Sequence, residues 1–338
     1  MIDWLWCRIS CAAASSLRPG LVTSIDADGV VEWQVAKWMQ ARGSHDATVA
    51  VKPRAPQIEL SGSPAKFLQG HNAFGSDDVV QLGAAMIRRA LGFLGVPLTD
   101  DETRAVDEGR YELLRVDVNY SYRTGSRSRC LAWIRAAEQH GYLQHRGRGM
   151  LKGTTVVWGA KSRHWQLKAY CKGQEIEAAK HGLPAELVHR SELSSWCDDK
   201  LRIEAQFNAR YLKELQLHVA ARWSENTAAL LHSSHLSKLA LTGESTMRAA
   251  ELEALPSQTK LVYEAWSAGA DVRAMLPRAT FYKRRAQLLA HGIDIAVAPA
   301  NAQRNVVPLI RYIEAEPVAI PDFARGTNLY FDPARRSA

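Results

Sequence analysis

The chain has 338 residues, 46% of them hydrophobic and 23% charged, which suits two or so globular domains and excludes a disordered or fibrous chain. Lys and Arg number 43 against 35 Asp and Glu, a net charge of +8 that favours a polyanionic partner over an acidic-surface function. No window is apolar for long enough to span a membrane, and the N-terminus lacks a basic leader ahead of a long apolar run, so the expected location is cytoplasmic. The cysteines (Cys7, Cys11, Cys130, Cys171 and Cys197) are odd in number and scattered, which suits free thiols in a reducing compartment better than disulfides or a zinc site.

Residues 2–9 and 20–35 alternate apolar and polar side chains as half-buried strands do, and 57–62 reads as another strand. Val79, Val80, Leu82, Met86, Ile87, Leu91 and Leu94 recur at helical spacing within 76–94, with Ser76, Asp77 or Asp78 available as N-cap. Residues 111–123 alternate strictly, and 126–141 return to helical spacing and end at Gly141. Strands at 154–159 and 164–171 follow, joined as a hairpin, and then a strand at 201–208. Helical patterns fill 225–252, 257–268, 271–276 and 277–291. Strands thus precede helices, which predicts an α+β fold: a largely antiparallel sheet with flanking helices over 1–220, then a mainly helical domain over 221–338.

Side chains on a strand alternate between faces, so residue parity shows which groups stand together. Arg115, Asp117, Asn119 and Ser121 share one face of the 111–123 strand pattern, opposite Val116, Val118, Tyr120 and Tyr122. His164, Gln166, Lys168, Tyr170 and Lys172 oppose Trp165, Leu167, Ala169 and Cys171. Arg202, Glu204, Gln206 and Asn208 oppose Leu201, Ile203, Ala205 and Phe207. In one sheet, these polar faces would form a site suited to phosphodiester chemistry. Asp117 and Glu204 could hold a hard divalent cation, and Tyr170 could attack phosphorus. Lys168, Lys172 and Arg202 would contact phosphate oxygens and lower the phenol pKa. The alternative is a solvated face of Arg115/Asp117 and Arg202/Glu204 ion pairs with Tyr170 as a cross-strand aromatic.

At these residues the chain resembles the replication initiators of filamentous bacteriophages, the gene II protein family. The matching segments are MID at the start, SPAKFLQGHNAFGSDD at 63–78, RVDVNYS at 115–121 and TVVWGAKSRHWQLKAYCKGQE at 155–175. LRIEAQFNARYLKEL at 201–215, MLPRATFYKRRAQLLAHGI at 275–293 and NVVPLIRYI at 305–313 continue the family's order. The resemblance implies rolling-circle replication: nicking of one strand of double-stranded phage origin DNA, a 5′-phosphotyrosine intermediate, and later rejoining of the displaced single strand. It implies Tyr170 as nucleophile and acidic residues in Arg-x-Asp and Arg-x-Glu segments, here Asp117 and Glu204, as ligands of Mg²⁺ or Mn²⁺. His71 reads either as a third ligand or base, or as part of a turn before the helix. Arg163 and His164 read as hairpin-tip phosphate contacts, with a solvent-exposed turn as the alternative for His164. The chain has no GxxxxGK[ST] loop, so a host helicase is expected as partner, together with a host polymerase.

Near the C-terminus, Leu261, Val262, Ala265 and Trp266 give a helix a buried stripe, and Gly269 breaks it. Pro277 then opens a helix carrying Arg278, Lys283, Arg284 and Arg285, with Phe281, Leu288 and Leu289 facing inward. This is the pattern of a helix-turn-helix over 257–292 or, alternatively, of a basic helix packed on its domain. A non-catalytic origin-binding regulator is the competing function, and a conjugative relaxase a third.

Overall fold

The computed structural model describes residues 1–43, 45, 47–144, 146–178, 181–241, 255–267, 270–290, 293–296 and 317–333. Fourteen strands are present among them. They are β1 (Ile2–Ser10), β2 (Leu21–Ile25), β3 (Val31–Ala36), β4 (Met39–Arg42), β5 (Thr48–Arg54), β6 (Gln57–Gly62) and β7 (Glu112–Arg123). The rest are β8 (Gly141–Leu143), β9 (Gly147–Arg148), β10 (Met150–Lys152), β11 (Thr155–Trp158), β12 (Trp165–Cys171), β13 (Lys200–Asn208) and β14 (Leu239–Leu241). Nine of them form one sheet in the order β10-β11-β12-β13-β7-β1-β6-β5-β4, antiparallel throughout. The α+β architecture expected from the sequence is therefore present.

The helices are α1 (Pro64–Gln69), α2 (Val79–Phe93), α3 (Asp100–Asp107), α4 (Arg127–His140), α5 (Lys172–Glu175), α6 (Arg190–Asp198), α7 (Ala209–Glu214) and α8 (Thr227–Leu236). Asp78 caps α2 through its side chain on the Gln81 amide, and Thr99 with Glu102 forms a capping box on α3. The buried side of α2 (Leu82, Met86, Ile87 and Ala90) joins Trp133 and Ile134 of α4 and the apolar sheet residues Leu5, Val116, Leu167 and Ile203 in one core. Burying the apolar side of the sheet leaves its polar side for chemistry.

Two expectations change. Residues 20–35 are not one strand: β2 and β3 form a separate two-stranded ribbon. Its Leu21, Ile25, Val31 and Trp33 are exposed. The helix expected over 225–252 stops at Leu236; β14 follows and pairs with β8, and residues 242–252 lie outside the described residues. Ala228, Leu236 and Leu239 belong to the main core, so 221–241 pack with the sheet rather than with a helical domain.

The helical unit is narrower: α9 (Ser257–Ser267), α10 (Val272–Met275) and α11 (Arg278–Leu289) enclose Tyr263, Trp266, Val272, Phe281 and Leu288. Leu261 is exposed, and Tyr263 takes the inward place expected for it. Gly269 and the 305–313 segment lie outside the described residues. In 317–333, the Val318 amide donates to the Ser121 carbonyl of β7, and Ala324 and Leu329 pack with Phe74 and with Leu193 and Cys197 of α6.

Candidate active site

Strands β12, β13 and β7 are neighbours, and their register aligns the polar faces inferred from parity. Lys168 lies opposite Glu204, Glu204 opposite Asn119, Gln206 opposite Asp117, and Tyr170 opposite Arg202. Antiparallel partners share a face, so Asp117, Lys168, Tyr170 and Glu204 converge. They line one cavity of about 300 Å³. The Tyr170 hydroxyl donates to Glu204 Oε2 at 3.4 Å, and Lys168 Nζ donates to Glu204 Oε1 at 2.6 Å. Arg115 grips Asp117 with two bonds, Nε to Oδ1 at 2.7 Å and Nη2 to Oδ2 at 2.5 Å.

The electrostatics of the cavity are unusual. Burial pushes Asp117 up to about 7; Arg115 opposes the rise and the nearby Glu204 charge adds to it. Burial, with Glu204 next, holds the Tyr170 phenol well above its ordinary value. The expectation that lysines and Arg202 would depress it fails: Arg202 pulls down, but burial and carboxylates outweigh it.

Sequence reasoning missed Asp3 as a site residue. Strict alternation places Asp3 with Leu5 on the core face. A register shift between Ile2 and Trp4 breaks the alternation and turns Asp3 into the cavity. There it accepts a bond from Asn72 Nδ2 at 2.8 Å. Glu175 also lines the cavity, and the start of α5 directly after β12 brings it there.

Three expected site residues are placed differently. His71 is buried; its Nδ1 accepts from the Ala73 amide at 3.2 Å and its Nε2 lies 2.9 Å from the Leu329 carbonyl. Burial lowers it to about 3, so it is a neutral ring with both nitrogens engaged, neither ligand nor base. Arg202 is fully buried and engaged by the protein: Nε donates to Ser121 Oγ at 3.2 Å and the two terminal nitrogens to the carbonyls of Asn72 and Ala73. Lys172 is also fully buried, donating to Asn72 Oδ1 at 2.7 Å and Glu175 Oε2 at 2.5 Å. Burial, then the Arg202 charge, lowers it to about 8. Both cations therefore brace the 71–75 loop behind Tyr170 rather than face a phosphate.

Arg163 is exposed in the β11–β12 turn, and His164 Nδ1 lies 3.2 Å from Glu214. On α11, Arg278 and Lys283 are exposed. Arg284 instead bonds Thr259, Gln287 and Gln258, and Arg285 makes two bonds to Asp294 at 2.7 and 2.8 Å. A larger hollow of about 760 Å³ near α6 lies away from this chemistry. Its acids are already paired, Glu177 with Arg127 and Glu192 with His189. Among the described residues all five cysteines are free and buried, no group of three or more His, Cys, Asp or Glu is arranged to hold a metal, and no helix is long and apolar enough to cross a membrane.

Residues 1–226 match the N-terminal family model of the phage replication-associated protein, the gene II protein, and residues 252–330 match the C-terminal model of the same protein. The replication-associated protein of Enterobacteria phage I2-2 is 34% identical over 348 residues, covering 100% of both chains. That of Enterobacteria phage M13 is 25% identical over 321 residues, covering 77% of this chain and 75% of its own. Among solved structures, the rolling circle replication initiator protein from Geobacillus stearothermophilus superposes with a TM-score of 0.28 at 10% identity, over 64% of this chain and 78% of that one. That superposition is too loose to compare sites. Two family matches in chain order and a full-length relative decide the matter: the chain belongs to the replication-associated gene II protein family of filamentous phages.

Proposed function

We propose that this chain initiates rolling-circle replication by nicking one strand of double-stranded phage origin DNA and holding the new 5′ end on Tyr170. The observation that carries the proposal is the convergence of the Tyr170 hydroxyl with Glu204, Lys168 and Asp117 in one cavity. The phenol oxygen attacks the scissile phosphorus, the bond from phosphorus to the 3′ oxygen breaks, and the 5′ phosphate stays esterified to Tyr170. Glu204, the carboxylate in contact with the phenol, takes its proton. Lys168, on the same face, is the cation placed for the phosphate oxygens. The released 3′ hydroxyl primes synthesis by a host polymerase. A 3′ hydroxyl freed on the displaced single-stranded viral DNA then attacks the phosphotyrosine, the phosphorus–tyrosine bond breaks and Tyr170 recovers its proton, which closes the circle. Unwinding is left to a host helicase.

The residues fit a hard divalent cation. Asp117 and Glu204 present carboxylate oxygens on one face of the cavity, and burial pushes Asp117 up to about 7 even while Arg115 holds it, so a cation there would relieve a buried carboxylate. Mg²⁺ takes one or two carboxylates and fills its remaining positions with water and substrate phosphate, so a set of three or more side chains is not required. Mg²⁺ or Mn²⁺ held by Asp117 and Glu204 would neutralise the scissile phosphate and the leaving oxygen.

One observation favours the alternative of a non-catalytic origin-binding regulator: Arg115–Asp117 and Lys168–Glu204 are complete ion pairs without any ligand. Supercoiled DNA carrying the phage origin, incubated with the protein and Mg²⁺, separates the two. Nicking yields open circles with protein on the 5′ end; binding without nicking supports the regulator. Tyr170→Phe should bind and form no adduct, and an adduct in that variant would remove Tyr170 from the mechanism.

A further inference from the structure

Away from the cavity, on the opposite side of the sheet, two cations share one aromatic ring. Trp165 opens β12 with its side chain on the apolar face, and its ring meets His235 edge-on at 4.6 Å. The Arg146 guanidinium lies 4.1 Å from the ring centre, and Lys238 Nζ lies 5.3 Å from it. Pairing of β14 with β8 sets Leu239 opposite Leu143. That register brings Lys238, just ahead of β14, beside the β8–β9 turn that carries Arg146.

The arrangement is built rather than incidental. Gly159, at a φ of +73°, leaves the space that Arg146 fills; a Cβ there would meet Arg146 Cδ at 2.9 Å. The turn that Gly159 begins also presents exposed Lys161 and Arg163. Among the described residues none of these four cations has an ion pair, whereas the nearby Glu214 is taken by His164 and Arg210. Burial lowers both Arg146 and Lys238, and the Arg146 charge lowers Lys238 further, so this pair stays together against its own repulsion. Next to Arg146 in the chain, Arg148 reaches Asp294 at 3.6 Å, which Arg285 of α11 also holds. The cations therefore lie on a hairpin that touches the unit bearing exposed Arg278 and Lys283.

We propose that Arg146 and Lys238, seated on Trp165, form a phosphate-binding site for the backbone of nucleic acid, outside the nicking cavity. The site grips a flanking phosphodiester without reading bases. Stacking on the indole fixes the Arg146 head and leaves its outer edge for phosphate. The proposal rests on DNA being the partner, but it does not depend on Tyr170 chemistry.

The test is the salt dependence of binding by the full chain to a duplex without origin sequence and to an oligothymidine. Removing one cation that holds a phosphate should lower the slope of log K against log salt by about one. Lys238→Gln should lower it by about one with an unchanged melting temperature, and Lys238→Gln with Arg146→Gln by about two. A drop on either probe supports the site and names the strand form it holds; an unchanged slope on both overturns it. Arg146→Lys keeps the charge and should keep the slope. If its slope falls as far as that of Arg146→Gln, the arginine acts only by packing and the proposal falls. Tyr170→Phe in the nicking assay is scored separately, so either reading can fail alone.

Discussion

Replacing Arg202 by Met tests whether this cation belongs to the scaffold or to the DNA contact. Its guanidinium is fully buried and gives three bonds: to Ser121 Oγ and to the carbonyls of Asn72 and Ala73. Hydrogen bonds to a charged group contribute about 1.5–3 kcal/mol each, and they are not additive. The variant strands two buried carbonyls on a loop that also carries His71. A net loss of about 3–5 kcal/mol follows, at the scale of breaking a buried charged cluster from one side. Urea unfolding at neutral pH reads it as a lower midpoint at unchanged m-value. The salt slope of duplex binding, measured where the variant is folded, should not move. A stability loss under about 1 kcal/mol together with a slope lowered by about one would refute the scaffold role and return Arg202 to the phosphate.

Acid should destabilise the fold. His71 at about 3, and His232 and His235 at about 4, lie below the unfolded value near 6.5, so the stability they carry is complete above that value and fades as pH falls toward 4. At pH 5 each withholds a proton that the unfolded chain takes up, costing about 2 kcal/mol. Asp117 at about 7 works the other way and offsets about one of the three, leaving a net loss on the order of 4 kcal/mol. Equal or greater urea resistance at pH 5 than at pH 7 would contradict this. Gly83→Ala should cost about 1–3 kcal/mol, because its Cβ would sit 2.0 Å from the Tyr111 hydroxyl, itself bonded to the Val79 carbonyl at 2.9 Å. In a Tyr111→Phe background the cost should shrink, and an equal cost in both backgrounds counts against the clash. Asp117→Asn should raise the Mg²⁺ concentration needed for nicking at least tenfold, with an unchanged titration as the contrary result.

The sheet was legible because alternation is strict in β7, β12 and β13. Parity there correctly grouped Asp117, Lys168, Tyr170 and Glu204, and antiparallel register did the rest. Parity assigns a side chain to a face, but it does not say what covers that face. Arg202 and Lys172 share the polar side with Tyr170 and are nevertheless sealed by the 71–75 loop and α5. His71 is closed off by a carbonyl from Leu329, 258 residues away, a contact no local pattern encodes. Asp3 escaped for the opposite reason: one register shift in β1 reverses its face. In the helical unit, spacing located α9 and α11, but Arg284 and Arg285 meet partners on other segments, Gln258 and Asp294, that periodicity in one helix does not reveal.

The charge distribution implies a division of labour under the proposed function. The cavity presents Asp3, Asp117, Glu175 and Glu204 beside Lys66, Arg115 and Lys168, and Arg115 and Lys168 are held by carboxylates. A phosphodiester entering it meets cations already engaged by carboxylates, and the phenol beside it is held protonated. Under the proposed function, exposed Arg278 and Lys283 and the cations on Trp165, all outside the cavity, would supply the binding strength. DNA can then be gripped at many sequences without being cut. Under the proposed function, cleavage brings the strand into the cavity, where a divalent cation on Asp117 and Glu204 would neutralise the scissile phosphate. Holding and cutting would then respond to different variables: monovalent salt would weaken the first through counterion release, while the second would track the divalent cation. Surface variants such as Lys238→Gln should change how long DNA stays, and cavity variants such as Asp117→Asn whether it is cut.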